Sequence, residues 1–301
     1  MEISAERRVK LSNLPYRGMV ALCLTVALLA GIAATVGVFF RGDGTTATVE
    51  SVRGEQYEMI ATGVYAFNSQ RLVSEGVGWD IFTLFVIVPA LITALPFFVR
   101  GSLRARLFVL GLLAYLFYQY FMYALAWAFG PLFLLFIVIY VAGLAALTWI
   151  LSTIKVGALH GQFSERFPRR GMAVLSIGLA LVLAVMWLGR IAAGLRGELG
   201  EAMLLGQTTL VVQALDLGLI VPLAAFTGIM AWKRCPVGYL LSSVLVVKAV
   251  AMGAAICAML ISAWVTEGKL DVGPLVLFAG TMVAAAWIGV RMYRSILPAQ
   301  L

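Results

Sequence analysis

The sequence predicts an all-α integral membrane protein, a bundle of about eight transmembrane helices with the N-terminus and C-terminus both cytoplasmic. Three observations predict it. First, the 301 residues are 62% hydrophobic and 12% charged, with a mean hydropathy of +1.01. A water-soluble domain of this size needs far more charged surface to cover its core. Second, the chain contains eight apolar runs, each long enough to cross a hydrocarbon core about 30 Å thick. Third, lysine and arginine gather on alternate connections, as retention of positive charge in the cytoplasm requires.

The first run, about 19–40, follows a basic leader with Arg7, Arg8, Lys10 and Arg17. It exceeds the apolar core of a signal peptide, roughly 7–15 residues. Its end, Gly37-Val38-Phe39-Phe40-Arg41, is bulky where a signal peptidase requires small residues, so it reads as an uncleaved span. The segment 42–80 is the only substantial stretch outside the membrane, an extracytoplasmic loop within one transmembrane domain covering 1–301. Its opening, 41–46, reads as a turn. From Gln56 to Val73 the residues are helix-compatible, and the expectation is a short interfacial helix or lid, with an irregular loop as the alternative.

The remaining runs lie near 81–99, 107–128, 131–153, 172–192, 208–231, 237–264 and 274–292. Phe129, Gly130 and Pro131 alone separate the third and fourth, which predicts a tight antiparallel hairpin. Small residues four apart (Ala30 and Ala34, Gly280 and Ala284, Ala285 and Gly289) offer close helix approach, within the chain or between copies. No internal repeat is evident.

Eight spans place 15 basic residues and three acids on the side of the N-terminus, against six basic residues and ten acids opposite. The net charge of +8 is thereby a topology signal. Its short, scattered loops do not build a nucleic-acid surface.

Ionisable groups within spans mark candidate sites, because lipid penalises them unless they are paired or wet. Asp216 and Lys248 are the clearest. Depth counting separates their backbones by roughly 9 Å, so an intervening water or ligand, or another partner for each, fits better than a direct pair. In the third run Tyr115, Gln119 and Tyr123 follow one helical face, continued by Trp127, and Gln213 precedes Asp216 by three residues. Together these predict an outward-facing aromatic and polar cavity, with Asn68, Gln70 and Arg71 as lid residues. The competing reading makes the same groups packing partners, Tyr118 and Tyr120 interfacial anchors, and Asp80 a helix cap. Pro222 predicts a kink one turn beyond Asp216.

The single histidine, His160, and the scattered Cys23, Cys235 and Cys257 match no metal-ligand spacing, and no phosphate-binding glycine loop occurs. No cofactor is predicted. A membrane transporter or small-molecule-binding protein is the first expectation. A non-catalytic receptor or assembly protein, and an intramembrane enzyme, are the alternatives. Lys248 as a Schiff-base lysine opposite Asp216 is a further chemical possibility. Expected partners are membrane lipids, an amphipathic small molecule or ion, and a membrane-protein partner or second copy.

The run Tyr118-Gln119-Tyr120-Phe121-Met122-Tyr123-Ala124 leads into Phe129-Gly130-Pro131-Leu132-Phe133, and Gln213-Ala214-Leu215-Asp216-Leu217-Gly218 is followed by Pro222, Gly238 and Lys248. In these stretches the chain resembles a prokaryotic family of uncharacterised multi-pass membrane proteins. The resemblance implies a shared helical fold in a prokaryotic inner or plasma membrane, and no activity.

Overall fold

Inside lipid a backbone has no water to bond, so each apolar run closes its own hydrogen bonds as a helix. The computed structural model describes residues 5–197 and 206–297, with side chains from Tyr16 onward. Eight helices in it are long and apolar enough to span a membrane. They are α1 (Ala5–Phe39), α2 (Gln70–Val99), α3 (Leu103–Ala126), α4 (Phe133–Ser152), α5 (Arg169–Leu195), α6 (Val211–Trp232), α7 (Pro236–Glu267) and α8 (Val272–Ser295). Leu28, Phe85, Leu134, Val185 and Trp287 stand exposed on the outside, as side chains facing lipid do.

The connections sort onto two ends. At one end Asn68 accepts from the Ala128 amide at 2.8 Å, Gln207 donates to the Ala126 carbonyl at 2.7 Å, and Arg71 reaches Glu267 and Asp271. At the other, Ser164 N–H donates to Ser295 O and Leu297 N–H to Gln162 O, both at 2.8 Å. Segments 42–69 and 153–168 therefore lie on opposite ends. Both termini fall outside the described residues.

The segment after α1 departs from expectation. Gln56–Ile60 is a strand, paired antiparallel with Thr46–Glu50 in the register Thr46 to Ile60 and Glu50 to Gln56. We label these strands β2 and β1. Alternation explains it: Tyr57 and Met59 share one face while Gln56, Glu58 and the hydroxyls of Thr46 and Thr48 suit the other. The second span also starts earlier, at Gln70, where the Ser69 side chain caps the Leu72 amide. Asp80 is consequently no cap. It lies inside α2, wholly buried, accepting from the Tyr65 hydroxyl at 2.5 Å and lying 3.2 Å from that of Tyr123.

The structure also reveals a repeat that the sequence reading did not detect. In α2 the turn Thr83–Ile87 is π-helical, with Val88 N–H reaching Thr83 O; in α6 the turn Asp216–Ile220 is π-helical, with Val221 N–H reaching Asp216 O. Pro89 and Pro222 follow, each lacking the amide that an α-helical turn would use. Both helices then end alike: Ser102 N–H bonds to Phe97 O and Cys235 N–H to Met230 O, after Gly101 and Arg234 at positive φ. Every correspondence joins position i to i + 133, as Pro89 to Pro222. The α2–α3 segment and the α6–α7 segment thus repeat one plan and run in the same direction.

The two segments meet along α3 and α7. A Cβ on Gly111 would lie 2.4 Å from Val247 and 3.1 Å from the Val244 carbonyl, and Val244 is the counterpart of Gly111. At Gly78 of α2 a Cβ would approach the Ala258 carbonyl of α7 to 2.4 Å. Of the small-residue pairs, Ala30 and Ala34 are buried and Gly289 packs on Val246, whereas Gly280 and Ala284 face outward.

Candidate functional site

A cavity of about 910 Å³ lies among α2, α3, α5, α6, α7 and α8. One stripe of α7 follows its length: Leu245, Lys248, Met252, Ile256 and Met259 at helical spacing, then Glu267. From Leu245 to Glu267 this is about 33 Å at 1.5 Å per residue. The mouth, at the hairpin end, holds Tyr57, Glu58, Gln70, Arg71, Lys269 and Asp271. Met186, Met252, Ile256 and Phe278 form a largely apolar middle that also holds Arg190.

The floor is polar and takes one side chain from each of four helices. Tyr118 of α3 donates its hydroxyl to Asp216 Oδ1 at 2.5 Å, and Trp187 of α5 donates Nε1–H to Asp216 Oδ2 at 2.8 Å. Lys248 of α7 holds its ammonium 4.2 Å from the centre of the Tyr118 ring, a cation–π arrangement. Among the described residues no ion pair joins Lys248 to Asp216; Arg71 makes the salt bridges there. The two residues flank the turn at 233–235, Asp216 sixteen residues before Trp232 and Lys248 twelve after Pro236. Their depths therefore differ by about 6 Å. Tyr118 fills that offset, with its hydroxyl on the acid and its face beneath the base.

Local sequence positions Asp216. Pro222 offers no amide, and its ring displaces the Gly218 carbonyl, so the ladder skips to the five-residue bond that defines the π turn. Asp216 opens that turn. Gln213, 6% exposed, lines the cavity without a hydrogen bond among the described residues.

The anticipated row in α3 divides. Tyr123 and Trp127 reach the cavity, but Tyr115 and Gln119 do not: both are fully buried against α2. The Tyr115 hydroxyl accepts from Trp79 Nε1 at 2.7 Å, and Gln119 Oε1 accepts from Thr83 Oγ1 at 2.8 Å. Tyr118, about 100° around the helix from Gln119, is the residue that faces Asp216. Asn68 is a staple rather than a lid. Its amide donates to the Tyr65 and Ala66 carbonyls while its oxygen holds the α3–α4 connection at Ala128. Gln70 and Arg71 do lie at the mouth, where Arg71 binds Glu75, Glu267 and Asp271 at 2.6, 2.7 and 2.6 Å.

Sequence reading missed Trp187 and Arg190, and it offered Tyr118 only as an interfacial anchor; Glu75 was expected in the segment roofing the cavity. A tryptophan and an arginine late in the fifth apolar run were the available signals.

The repeat gives the floor an internal comparison. Asp216 and Lys248 correspond, at 133 residues' distance, to Thr83 and Tyr115. That first pair is neutral, and its hydroxyls lie 3.2 Å apart in a sealed core. Its counterpart in the second segment is charged, separated and open to the cavity.

No family model, curated protein or solved structure matches this chain. The protein is a multi-pass α-helical bundle, consistent with a membrane location.

Proposed function

We propose that this chain is a membrane transporter that binds a small amphipathic molecule in the cavity, with the hairpin end extracytoplasmic. The observation that carries the reading is a cavity that descends from the hairpin end to a lysine deep in the bundle that makes no salt bridge among the described residues. Helices of both repeated segments line it, α2 and α3 from the first and α6 and α7 from the second. Parallel halves with a central polar site form one of the recurring plans of secondary transport. Aromatic and apolar walls with a few polar groups suit a ligand that is part hydrocarbon. The hairpin end is assigned to the outside by the basic residues of the opposite connections. The reading assigns no catalytic residue.

Alternating access is the test. Cys23, Cys235 and Cys257 are replaced, and Met252→Cys, in the cavity wall, is labelled with a membrane-impermeant maleimide in sealed vesicles of each orientation. Transport requires labelling from both faces. Labelling from the hairpin face alone, with or without added solutes, would falsify transport and leave a receptor.

A further inference from the structure

The cavity floor distinguishes between charges, and this inference rests on the binding reading above. Asp216 is already engaged, since its two oxygens accept from Tyr118 and Trp187. Lys248 is not. It is only 9% exposed, it lines the cavity, and among the described residues its ammonium has the Tyr118 ring but no hydrogen bond or ion pair. A ring face balances charge without accepting three N–H donors in hydrogen-bond geometry. The Gln213 amide, on the neighbouring helix, makes no hydrogen bond among the described residues and lies about 10 Å nearer the mouth than Lys248. Beyond these groups the wall turns apolar at Met252 and Ile256.

We propose that the cavity binds an organic monoanion, a carboxylate head seated on Lys248 with its hydrocarbon body running past Met252 and Ile256 toward the mouth. A carboxylate supplies the acceptors in hydrogen-bond geometry that the Lys248 ammonium lacks. A dianionic phosphate would leave a second charge unmatched among apolar side chains. A cationic amphiphile would meet Lys248 with like charge, and the carboxylate it sought is already hydrogen-bonded.

The test uses the full chain in nanodiscs of zwitterionic lipid at neutral pH, with empty discs as reference. Dodecanoate, dodecyl phosphate, dodecanol and dodecylamine are titrated while tryptophan fluorescence is followed, Trp187 being the reporter at the floor. Dodecanoate should saturate and bind at least about tenfold more tightly than the other three. Lys248→Gln should weaken dodecanoate by roughly 10- to 100-fold, the worth of a charge-assisted hydrogen bond, while leaving dodecanol unchanged. Lys248→Arg should retain most of the preference. Equal affinity of Lys248→Gln and the unaltered protein overturns the proposal, as does tighter binding of dodecylamine or a response matched by empty discs. Should Lys248→Gln fail to fold, Met252→Trp keeps the lysine and fills the passage. Undiminished dodecanoate binding by that variant overturns the proposal equally.

The labelling experiment separates the two ideas. Two-faced labelling without carboxylate preference removes this ligand and keeps transport. One-faced labelling with the preference removes transport and keeps the site.

Discussion

Replacing Tyr118 with phenylalanine isolates one bond. The ring stays beneath Lys248, 4.2 Å from its ammonium, and only the hydroxyl on Asp216 Oδ1 is lost. An average hydrogen bond between membrane helices contributes about 0.6 kcal/mol, whereas one to a charged group contributes roughly 1.5–3 kcal/mol. Because Asp216 is 9% exposed and keeps the Trp187 donor, the loss should fall at the lower end, about 1.5–2 kcal/mol. Reversible unfolding in mixed micelles measures it, with Asp216→Asn and the double variant completing a cycle. The coupling between the two sites should be about 1 kcal/mol or more, since they share one bond. Tyr118→Leu should lose a further 0.5–2 kcal/mol or so with the ring. A cost for Tyr118→Phe near 0.6 kcal/mol, or additivity with Asp216→Asn, would show that no ionised carboxylate sits under this hydroxyl.

Three more perturbations probe the frame around the floor. Gly78→Val places carbon against the Ala258 carbonyl and the Met259 Cα, backbone that cannot move aside, and should cost about 1–3 kcal/mol; Gly178→Ala, with open space around it, serves as the near-neutral control in the same unfolding assay. Arg71→Met releases Glu75, Glu267 and Asp271 at the mouth and should cost about 1 kcal/mol at low salt, with a smaller loss in high salt because these groups are partly exposed. A salt-independent loss would assign the effect to packing. At the hairpin base the Thr62 hydroxyl, then the Thr45 amide and hydroxyl, hold Asp43 down to about 2 from its ordinary value of 3.8. A depressed folded value means that the clasp contributes above the unfolded value and is lost as pH falls toward 2. Amide exchange across 43–62 should accelerate over that window, and Asp43→Asn should abolish the acid step.

The sequence exposed Asp216 and Lys248 because charge within a long apolar run stands out whatever the packing. It also marked Pro222, whose missing amide acts within its own helix. The division between Tyr115 and Tyr118 was not legible, since both are tyrosines at adjacent angles on one helix, and only the position of α2 against α3 decides which is sealed. The repeat stayed hidden for a related reason. Backbone demands at Pro89, Pro222 and the two helix ends are specific, but the intervening spans need only be apolar. Ile87-Val88-Pro89 and Ile220-Val221-Pro222 are the one continuous identity that links the two segments across these turns.

By itself the amino-acid order determined the eight helices, their alternation and the buried charges, because solvation by lipid acts on each segment independently. Tertiary structure alone decided that β1 and β2 pair over the mouth, that the two segments share a plan, and that Tyr118 and Trp187 occupy Asp216 while Lys248 keeps its donors free. These depend on which faces of separate helices meet, and the angle of one helix against another is set by side-chain fit across chain distances that no local pattern encodes.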